Sequence, residues 1–191
     1  ITQPDVLSAI IERIDGVQCF GESNGRVFFD INGGTAPYKY AMVSSQPLWQ
    51  NKTEVFDTDD GERIFYFDDG LSAGTLLYQF TDANNCPFEG SVTVVVPHPE
   101  VLSLSDADVA HTTCNLDNGR VAVEISGGTM PYRFQWSNAA GATVGSDFFV
   151  ENLKQNGFYR LNVWDKHNCH LNTEFFINPS TLPLISGLET S

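Results

Sequence analysis

The sequence predicts an all-β fold made of two tandem antiparallel β-sandwich modules. Apolar residues alternate with polar residues along most of the chain, and helical periodicity is nearly absent. Turn signals such as Asn-Gly and Gly-Gly interrupt the alternating segments about every 8 to 12 residues, which is typical of sandwiches. The string Gly-Gly-Thr-x-Pro-Tyr occurs at residues 33–38 and again at 127–132, so one module is present in two copies.

The segments around the two strings also agree. Asn-Gly-Arg-Val at residues 24–27 recurs at 118–121, and an Asp-x-x-x-Cys motif occurs at 82–86 and at 165–169. A period of roughly 95 residues exceeds the 20 to 50 residues of solenoid repeats, so each copy is large enough for its own core. We therefore expect a first module at residues 1–97, a second at 98–180, and a linker or tail at 181–191.

The individual strands follow from the alternation. Residues 6–14 have some helical character, but their counterpart in the second copy has a strand pattern, so we expect a strand here too. Each copy then holds about seven strands in about ninety residues, the size of an immunoglobulin-like domain. The predicted core consists of Val27, Phe29, Ile31, Tyr40, Phe80 and Val94, with Val121, Val123, Ile125, Phe134, Leu161 and Val163 as counterparts.

The charge of the chain is strongly negative. Its 24 acidic and 10 basic residues give a formal net charge of −14. Such a surface repels nucleic acid phosphates and anionic lipids, so neither is an expected partner. No apolar run approaches the roughly 18 residues of a membrane span and no signal peptide is present, so we expect no membrane insertion. Because the chain begins at Ile1 in the middle of a pattern, we expect a fragment of a longer protein.

Each copy contains two cysteines at equivalent positions, Cys19 and Cys86 in the first and Cys114 and Cys169 in the second. Neither Cys-x-x-Cys pairs nor zinc-ligand spacings occur. Among the possible connectivities, a repeated module favours the one that repeats within each copy, so we expect Cys19–Cys86 and Cys114–Cys169 disulfides. Stable disulfides imply export to an oxidising compartment. The alternative is a cytosolic protein with four buried free thiols.

In this order, the motifs resemble the SprB repeat of Bacteroidetes surface proteins, a family named after a gliding-motility adhesin. The family pattern runs from Cys-x-Gly and Asn-Gly through Gly-Gly-x-x-Pro-Tyr to Asp-x-x-x-Cys and a final strand that ends in proline. Three residues depart from it: Leu76 replaces a tyrosine, and Asn115-Leu116 replace Phe-Gly. The matching residues are 19–21, 24–25, 33–38, 82–86 and 97 in the first copy, and 114, 118–119, 127–132, 157–159, 165–169 and 179 in the second.

The resemblance implies a very large, repetitive cell-surface protein that is exported by the type IX secretion system. Such proteins act in adhesion to surfaces or polysaccharides, and in gliding where the cell has that machinery. We therefore expect an extracellular, non-catalytic segment that serves as a spacer or stalk, with neighbouring repeats of the same parent chain and surface polysaccharide as partners. No GxSxG, HExxH or Ser/His/Asp arrangement is visible, which also favours a protein that is not an enzyme.

The first copy is longer than the second because it carries an acidic insertion at about residues 44–70. Here Asp57, Asp59, Asp60 and Glu62 resemble part of a calcium loop, since calcium takes about six to eight oxygen ligands. The position of Gly61 does not match an EF-hand. Calcium is the one cofactor that the sequence suggests, and a solvated hairpin tip is the alternative.

Other residues have both a functional and a structural interpretation. Trp49, in the insertion, is the best candidate for stacking on a glycan, whereas Trp136 falls at a strand position that favours burial. The histidines beside Cys169 would suggest a metal cluster only if that cysteine were not in a disulfide. Asp82 and Asp165 are ordinary turn formers or, alternatively, cation ligands. The Gly-Gly pairs predict positive φ before a proline that begins the next strand.

Two functions compete with the spacer. One is a carbohydrate- or protein-binding module that uses the insertion of the first copy as its site. The other is an accessory pair of domains attached to a secreted enzyme elsewhere in the parent chain. Clustered exposed aromatic residues or an ordered ion beside the insertion would favour the binding module.

Overall fold

The computed structural model describes residues 4–44, 52–56, 64–114 and 116–179, and every regular element among these residues is a β-strand. The chain divides into two compact units, Ile1–Pro99 and Glu100–Ser191, which we call module 1 and module 2. The predicted all-β class is confirmed.

Module 1 consists of two antiparallel sheets. Its described strands are β1 (Ser8–Asp15), β2 (Gly25–Asn32), β3 (Tyr38–Ser44), β4 (Lys52–Phe56), β5 (Ile64–Leu71), β6 (Gly74–Thr81) and β7 (Val92–Val96). One sheet has the order β1-β2-β5, and the other has the order β4-β3-β6-β7. The described part of the predicted insertion therefore contributes strands to both sheets.

Module 2 repeats this arrangement strand for strand. Its strands are β8 (Ser103–Ala110), β9 (Gly119–Ser126), β10 (Arg133–Asn138), β11 (Thr143–Gly145), β12 (Phe149–Leu153), β13 (Gly157–Trp164) and β14 (His170–Ile177). The sheets have the orders β12-β9-β8 and β11-β10-β13-β14. Each sandwich therefore packs a three-stranded sheet against a four-stranded one, as in immunoglobulin-like domains.

The cores match the alternation of the sequence closely. All six predicted core residues of module 1 are buried, and Phe29 packs against Tyr78 and Phe80. In module 2, four of the six predicted residues are buried, whereas Ile125 and Phe134 are only partly buried. Trp136 is fully buried in the same cluster, and its indole Nε1 donates a hydrogen bond to the Asp147 carbonyl at 2.9 Å. The predicted burial of Trp136 is thus confirmed.

Strand β1 confirms the strand expected over residues 6–14. It pairs antiparallel with β2, and its register shifts between Ile11 and Arg13. A bulge of this kind places one extra residue in the strand and breaks its alternation. The irregular spacing of Ile10, Ile11 and Ile14, which suggested helical character, follows from this bulge. Strand β8 contains the equivalent register shift between Leu104 and Asp106.

In each module the chain enters at one end of the sandwich and leaves at the other. At the N-terminal end of module 1, the Gly34 amide donates to the Asp5 carbonyl at 2.8 Å; at its C-terminal end, the Val17 amide donates to the Pro97 carbonyl at 3.0 Å. In module 2, the Gly128 amide donates to the Glu100 carbonyl at 2.8 Å. The Thr112 hydroxyl donates to the Asn178 carbonyl at 3.1 Å at the other end. Eight-residue strands such as β2 and β9 separate the two ends by about 24 Å.

Candidate functional site

The repeated Gly-Gly-Thr-x-Pro-Tyr string forms a tight loop at the N-terminal end of each module. Both glycines have positive φ in both copies, with values of 74° and 66° in module 1 and 71° and 62° in module 2. A Cβ atom on Gly127 would overlap the carbonyl oxygen of Val101, and one on Gly33 would overlap that of Val6. Only glycine therefore satisfies both the backbone conformation and the space, and the predicted positive φ is confirmed.

The tyrosine that ends the string closes the loop onto its first glycine. The hydroxyl of Tyr38 donates to the Gly33 carbonyl at 2.9 Å, and the hydroxyl of Tyr132 donates to the Gly127 carbonyl at 2.6 Å. The glycines, the threonine and the tyrosine of each string thus have hydrogen-bond partners inside their own module. The string therefore supports the folding of its own module.

An aspartate joins this loop to the second cysteine-containing loop of each module. In module 2, Oδ1 of Asp165 accepts the amides of His167 and Cys169 at 2.8 and 2.9 Å. Its Oδ2 accepts the amide of Thr129, within the Gly-Gly-Thr string, at 2.8 Å. One buried carboxylate therefore satisfies three backbone donors from two loops.

Module 1 contains the same arrangement around Asp82. Oδ1 accepts the amides of Asn84 and Cys86 at 2.9 and 2.8 Å, and Oδ2 accepts the amide of Thr35 at 3.1 Å. Both oxygens of each aspartate are directed at backbone amides, which donate hydrogen bonds and repel cations. This geometry supports the turn-forming interpretation of the two aspartates over cation binding.

The pKa of Asp82 is lowered from its ordinary value of 3.8. Burial by itself raises the pKa of this carboxyl, but the hydrogen bonds from the Cys86, Thr35 and Asn84 amides, and from the Cys86 side chain, outweigh it. The unfolded chain therefore binds a proton at a higher pH than the folded module does. The contribution of Asp82 to stability is full above about pH 3.8 and is lost as the pH falls through the lower folded-state pKa.

We expect module 1 to lose stability when the pH falls from 5 to 2, with part of that loss due to Asp82. Urea unfolding at several pH values in this range measures it. In the Asp82→Asn variant, the free energy of unfolding is expected to be lower at pH 5 and to depend less steeply on pH. An unchanged pH dependence in this variant would contradict the assignment of the low pKa to Asp82.

Loops at the C-terminal end of each module are held by the asparagine of the Asn-Gly pair. Oδ1 of Asn118 accepts the Thr113 amide at 2.9 Å, and Oδ1 of Asn24 accepts the Gln18 amide at 2.9 Å. The glycine that follows begins the next strand, and a Cβ on Gly25 would crowd Val96 and the Leu71 carbonyl. The sequence indicated only a turn at these positions, because such packing involves residues distant in the chain.

The cysteines differ from the prediction. Cys19 and Cys169 are disulfide-bonded, whereas Cys86 and Cys114 are exposed thiols. The expected Cys19–Cys86 and Cys114–Cys169 pairs are therefore not formed. The presence of disulfide-bonded cysteines nevertheless agrees with the expected oxidising environment.

Topology explains why the expected pairs cannot form. Cys19 lies in the β1–β2 loop at the C-terminal end of module 1, where Ser23 hydrogen-bonds Ser72 just before β6. Cys86 lies beyond the far end of β6, where its amide bonds Asp82. The eight residues of β6 place the two cysteines about 24 Å apart, whereas the Cα atoms of a disulfide lie within about 7 Å. Strand β14 separates Cys114 from Cys169 in the same way.

Several predicted site residues lie outside the described residues. These are the calcium candidates Asp57, Asp59, Asp60 and Glu62 and the glycan candidate Trp49. Within residues 4–44, 52–56, 64–114 and 116–179, no group of three or more His, Cys, Asp or Glu side chains could hold a metal ion. The histidines beside Cys169 thus form no metal cluster, and His170 instead stacks on Trp164.

Trp164 lies on the outer face of the four-stranded sheet of module 2, whereas Trp136 lies in the core. In register, Trp164 lies between Arg133 of β10 and His170 of β14. The Arg133 guanidinium is 4.7 Å from the indole centroid, and the His170 ring stacks on the indole at 5.0 Å. An open groove of about 550 Å³ lies beside it. Because both neighbouring strands contact the indole, Trp164 acts as a cross-strand contact.

These features define the class of the protein. Both modules are immunoglobulin-like β-sandwiches, and their repeated residues support loops at the two ends. Residues 107–141, which run from β8 to beyond β10 in module 2, match the family described as SprB repeat. The resemblance derived from the motifs is therefore confirmed in this part of the chain.

Comparison with solved structures finds similar structures at low identity. A C-terminal 282-residue fragment of intimin, in complex with the intimin-binding domain of its translocated receptor, has a TM-score of 0.45 and 18% identity; the alignment covers 93% of this chain and 64% of the fragment. A segment of two fibronectin type III domains from chicken tenascin has a TM-score of 0.35 and 12% identity. The alignment covers 87% of this chain and 98% of that segment. The DIP-gamma IG1+IG2 structure has a TM-score of 0.41 and 11% identity. The alignment covers 93% of this chain and 99% of that structure.

Among curated proteins, none matches the chain. In the part of the chain that the structure describes, no helix has the length and apolar character needed to cross a membrane.

Proposed function

We propose that this chain is a non-catalytic segment of a large exported cell-surface adhesin, in which each module is a spacer. The observation that carries the proposal is the path of the chain, which enters and leaves each sandwich at opposite ends. A module built in this way adds its full strand length to the reach of a tandem protein. The SprB repeat match and the immunoglobulin-like fold support a surface adhesin that is not an enzyme.

The repeated residues support the same interpretation. In both modules the Gly-Gly-Thr string, the aspartate and the Asn-Gly pair bind to backbone groups of their own module. A ligand site shared by both copies would instead leave repeated polar groups directed outwards. We propose further that the parent protein is exported by type IX secretion and takes part in gliding, as the SprB resemblance implies. Inactivation of that secretion system is expected to abolish its appearance on the cell surface.

The spacer role can be tested by replacing this segment in the parent protein with two unrelated immunoglobulin-like modules of equal length that contain no cysteine. We expect cells with the replacement to attach to surfaces and glide as well as the parent cells do, because only length is required. Deletion of the segment is the matched control and is expected to reduce attachment, since it shortens the protein. Loss of attachment after replacement, to the level seen after deletion, would show that these modules bind a ligand themselves.

A further inference from the structure

Strand β10 of module 2 is paired along less of its edge than its counterpart β3 of module 1. In module 1, β4 pairs with residues 38–42. In module 2, β11 pairs only with Trp136 and Ser137, and the chain then crosses to the other sheet as β12. Among the described residues of module 2, no strand therefore lies beside residues 132–135 on this edge. The unpaired part of the edge is about 13 Å long.

The main-chain groups of β10 face the open side at alternate residues. The Asn138 amide donates to the Ala142 carbonyl at 2.9 Å, and the Asn138 carbonyl accepts the Gly141 amide at 2.9 Å, so both groups of Asn138 face β11. Because β10 pairs with β13 in an unbroken register, the direction of these groups alternates along the strand. The amide and carbonyl of Phe134 therefore point towards the open edge.

Aromatic side chains at this edge are less buried than their counterparts in module 1. Tyr38 and Tyr40, beside β4, have exposed fractions of 5% and 1%. Their counterparts Tyr132 and Phe134 are only partly buried, and an open groove of about 550 Å³ lies beside them. The position that β4 covers in module 1 is thus open in module 2, and an apolar side chain placed opposite Phe134 would complete the burial.

The groove carries a positive charge in a chain whose net charge is −14. Arg133 lines it, with the guanidinium 4.7 Å from the centroid of the Trp164 indole, and no acidic side chain of the described residues lines it. In the same part of the chain, Arg133 forms no ion pair with a carboxylate. An acidic side chain on a strand beside β10 would therefore be attracted to the position opposite Arg133.

We propose that this groove binds an extended, acidic segment of another protein as an added antiparallel strand. The segment pairs with residues 132–135, and one of its residues exchanges two hydrogen bonds with Phe134. It places an apolar side chain opposite Phe134 and an acidic side chain opposite Arg133. Module 1 supports the proposal, because its own strand β4 occupies the equivalent position. The proposal goes beyond the spacer function and does not depend on it.

The test uses the isotope-labelled 191-residue chain and the synthetic peptide acetyl-Thr-Val-Glu-Val-Thr-amide as the probe. When this peptide runs antiparallel to β10, its first valine faces Phe134 and its glutamate faces Arg133. We expect the peptide to shift the NMR signals of the Arg133, Phe134 and Gln135 amides and to slow hydrogen exchange of the Phe134 amide several-fold. The Tyr40 amide of module 1, whose strand is already paired with β4, is the internal control and is expected to be unaffected.

Two results would overturn the proposal. One is an absence of peptide-induced shifts in β10. The other is a Phe134 amide that is already protected from exchange without the peptide, because the edge would then be covered by the chain itself or by a second copy. The segment replacement described above measures attachment and gliding, whereas this experiment measures binding to the isolated chain, so the spacer function and the groove can fail independently.

Matched controls distinguish strand pairing from non-specific adhesion of the peptide. Methylation of the first valine nitrogen removes the donor to the Phe134 carbonyl and is expected to abolish binding. Arg133→Gln is expected to weaken binding about two- to fivefold, as one cross-strand ion pair would. Arg160→Gln removes a positive charge from the same sheet, where Arg160 pairs with Glu174 at 2.6 Å, and is expected to bind normally. Undiminished binding of the methylated peptide, or equal weakening in both arginine variants, would contradict strand addition at this edge.

Discussion

Replacing Gly127 by alanine is expected to destabilise module 2 by about 3 to 5 kcal/mol. The residue has φ of 71°, and a Cβ atom there would overlap the Val101 carbonyl oxygen, which belongs to the backbone and cannot rotate away. The loss thus combines the strain of a left-handed conformation with a displacement of the chain at the N-terminal end of the module. A small domain has a total stability of about 5 to 15 kcal/mol, so the variant would retain only part of it. Urea unfolding followed by tryptophan fluorescence measures the difference.

Gly141→Ala is the matched control for this variant. Gly141 also has positive φ, at 81°, but nothing lies within 4 Å of the position that its Cβ would occupy. The control therefore carries only the conformational cost, about 1 to 2 kcal/mol. If both variants lost the same free energy of unfolding, the contact with Val101 would play no part, and the account of the Gly-Gly-Thr loop would be wrong.

Replacing Asp165 by alanine is expected to lower the stability of module 2 by about 3 to 5 kcal/mol. Three backbone amides, those of Thr129, His167 and Cys169, lose a charged acceptor at once. A hydrogen bond to a charged group contributes about 1.5 to 3 kcal/mol, and the three contributions overlap because they share one side chain. The two loops at the N-terminal end would also lose a side-chain link between them.

Two further variants separate this role from a general effect of charge. Asp165→Asn keeps one carbonyl oxygen and is expected to lose about half as much stability, since that oxygen can still accept two amides. Asp117→Ala removes a carboxylate whose only described ion pair is exposed, with Lys154 at 4.0 Å, and is expected to cost under about 1 kcal/mol. Equal losses in Asp165→Ala and Asp117→Ala would contradict the proposed role of the buried carboxylate.

The alternation of apolar and polar residues predicted the strands and the core, because every second side chain of a strand faces the interior of the sandwich. Val27, Phe29 and Ile31 point into the sandwich of module 1 as expected. The helical character of residues 6–14 was resolved only by comparison with the second copy, since a bulge in β1 disturbs the period of two. Phe134 is only partly buried in the cluster that contains Trp136. The degree of burial depends on how neighbouring core side chains pack, which the alternation of apolar and polar residues does not encode.

Cysteine pairing was not predictable from the same information. The repeat indicated which cysteines are equivalent, but pairing depends on which end of the sandwich each loop occupies, and that follows from the strand order. The sequence predicted that Asp165 forms a turn. It did not predict the hydrogen bond from the Thr129 amide, because that bond joins residues far apart in the chain. The candidates at residues 49 and 57–62 lie outside the described residues, so calcium and glycan binding there remain predictions.

The opposite placement of the two chain ends has a mechanical consequence for each module. In the proposed spacer function, tension pulls β1 at one end of module 1 and β7 at the other, along the direction of the strands. The hydrogen bonds of an antiparallel ladder lie perpendicular to the strands, so this force shears the bonds between β1 and β2 together instead of opening them one after another. Under load, the resistance of module 1 to unfolding therefore depends on the pairing of its first strand with β2 and of its last strand with β6.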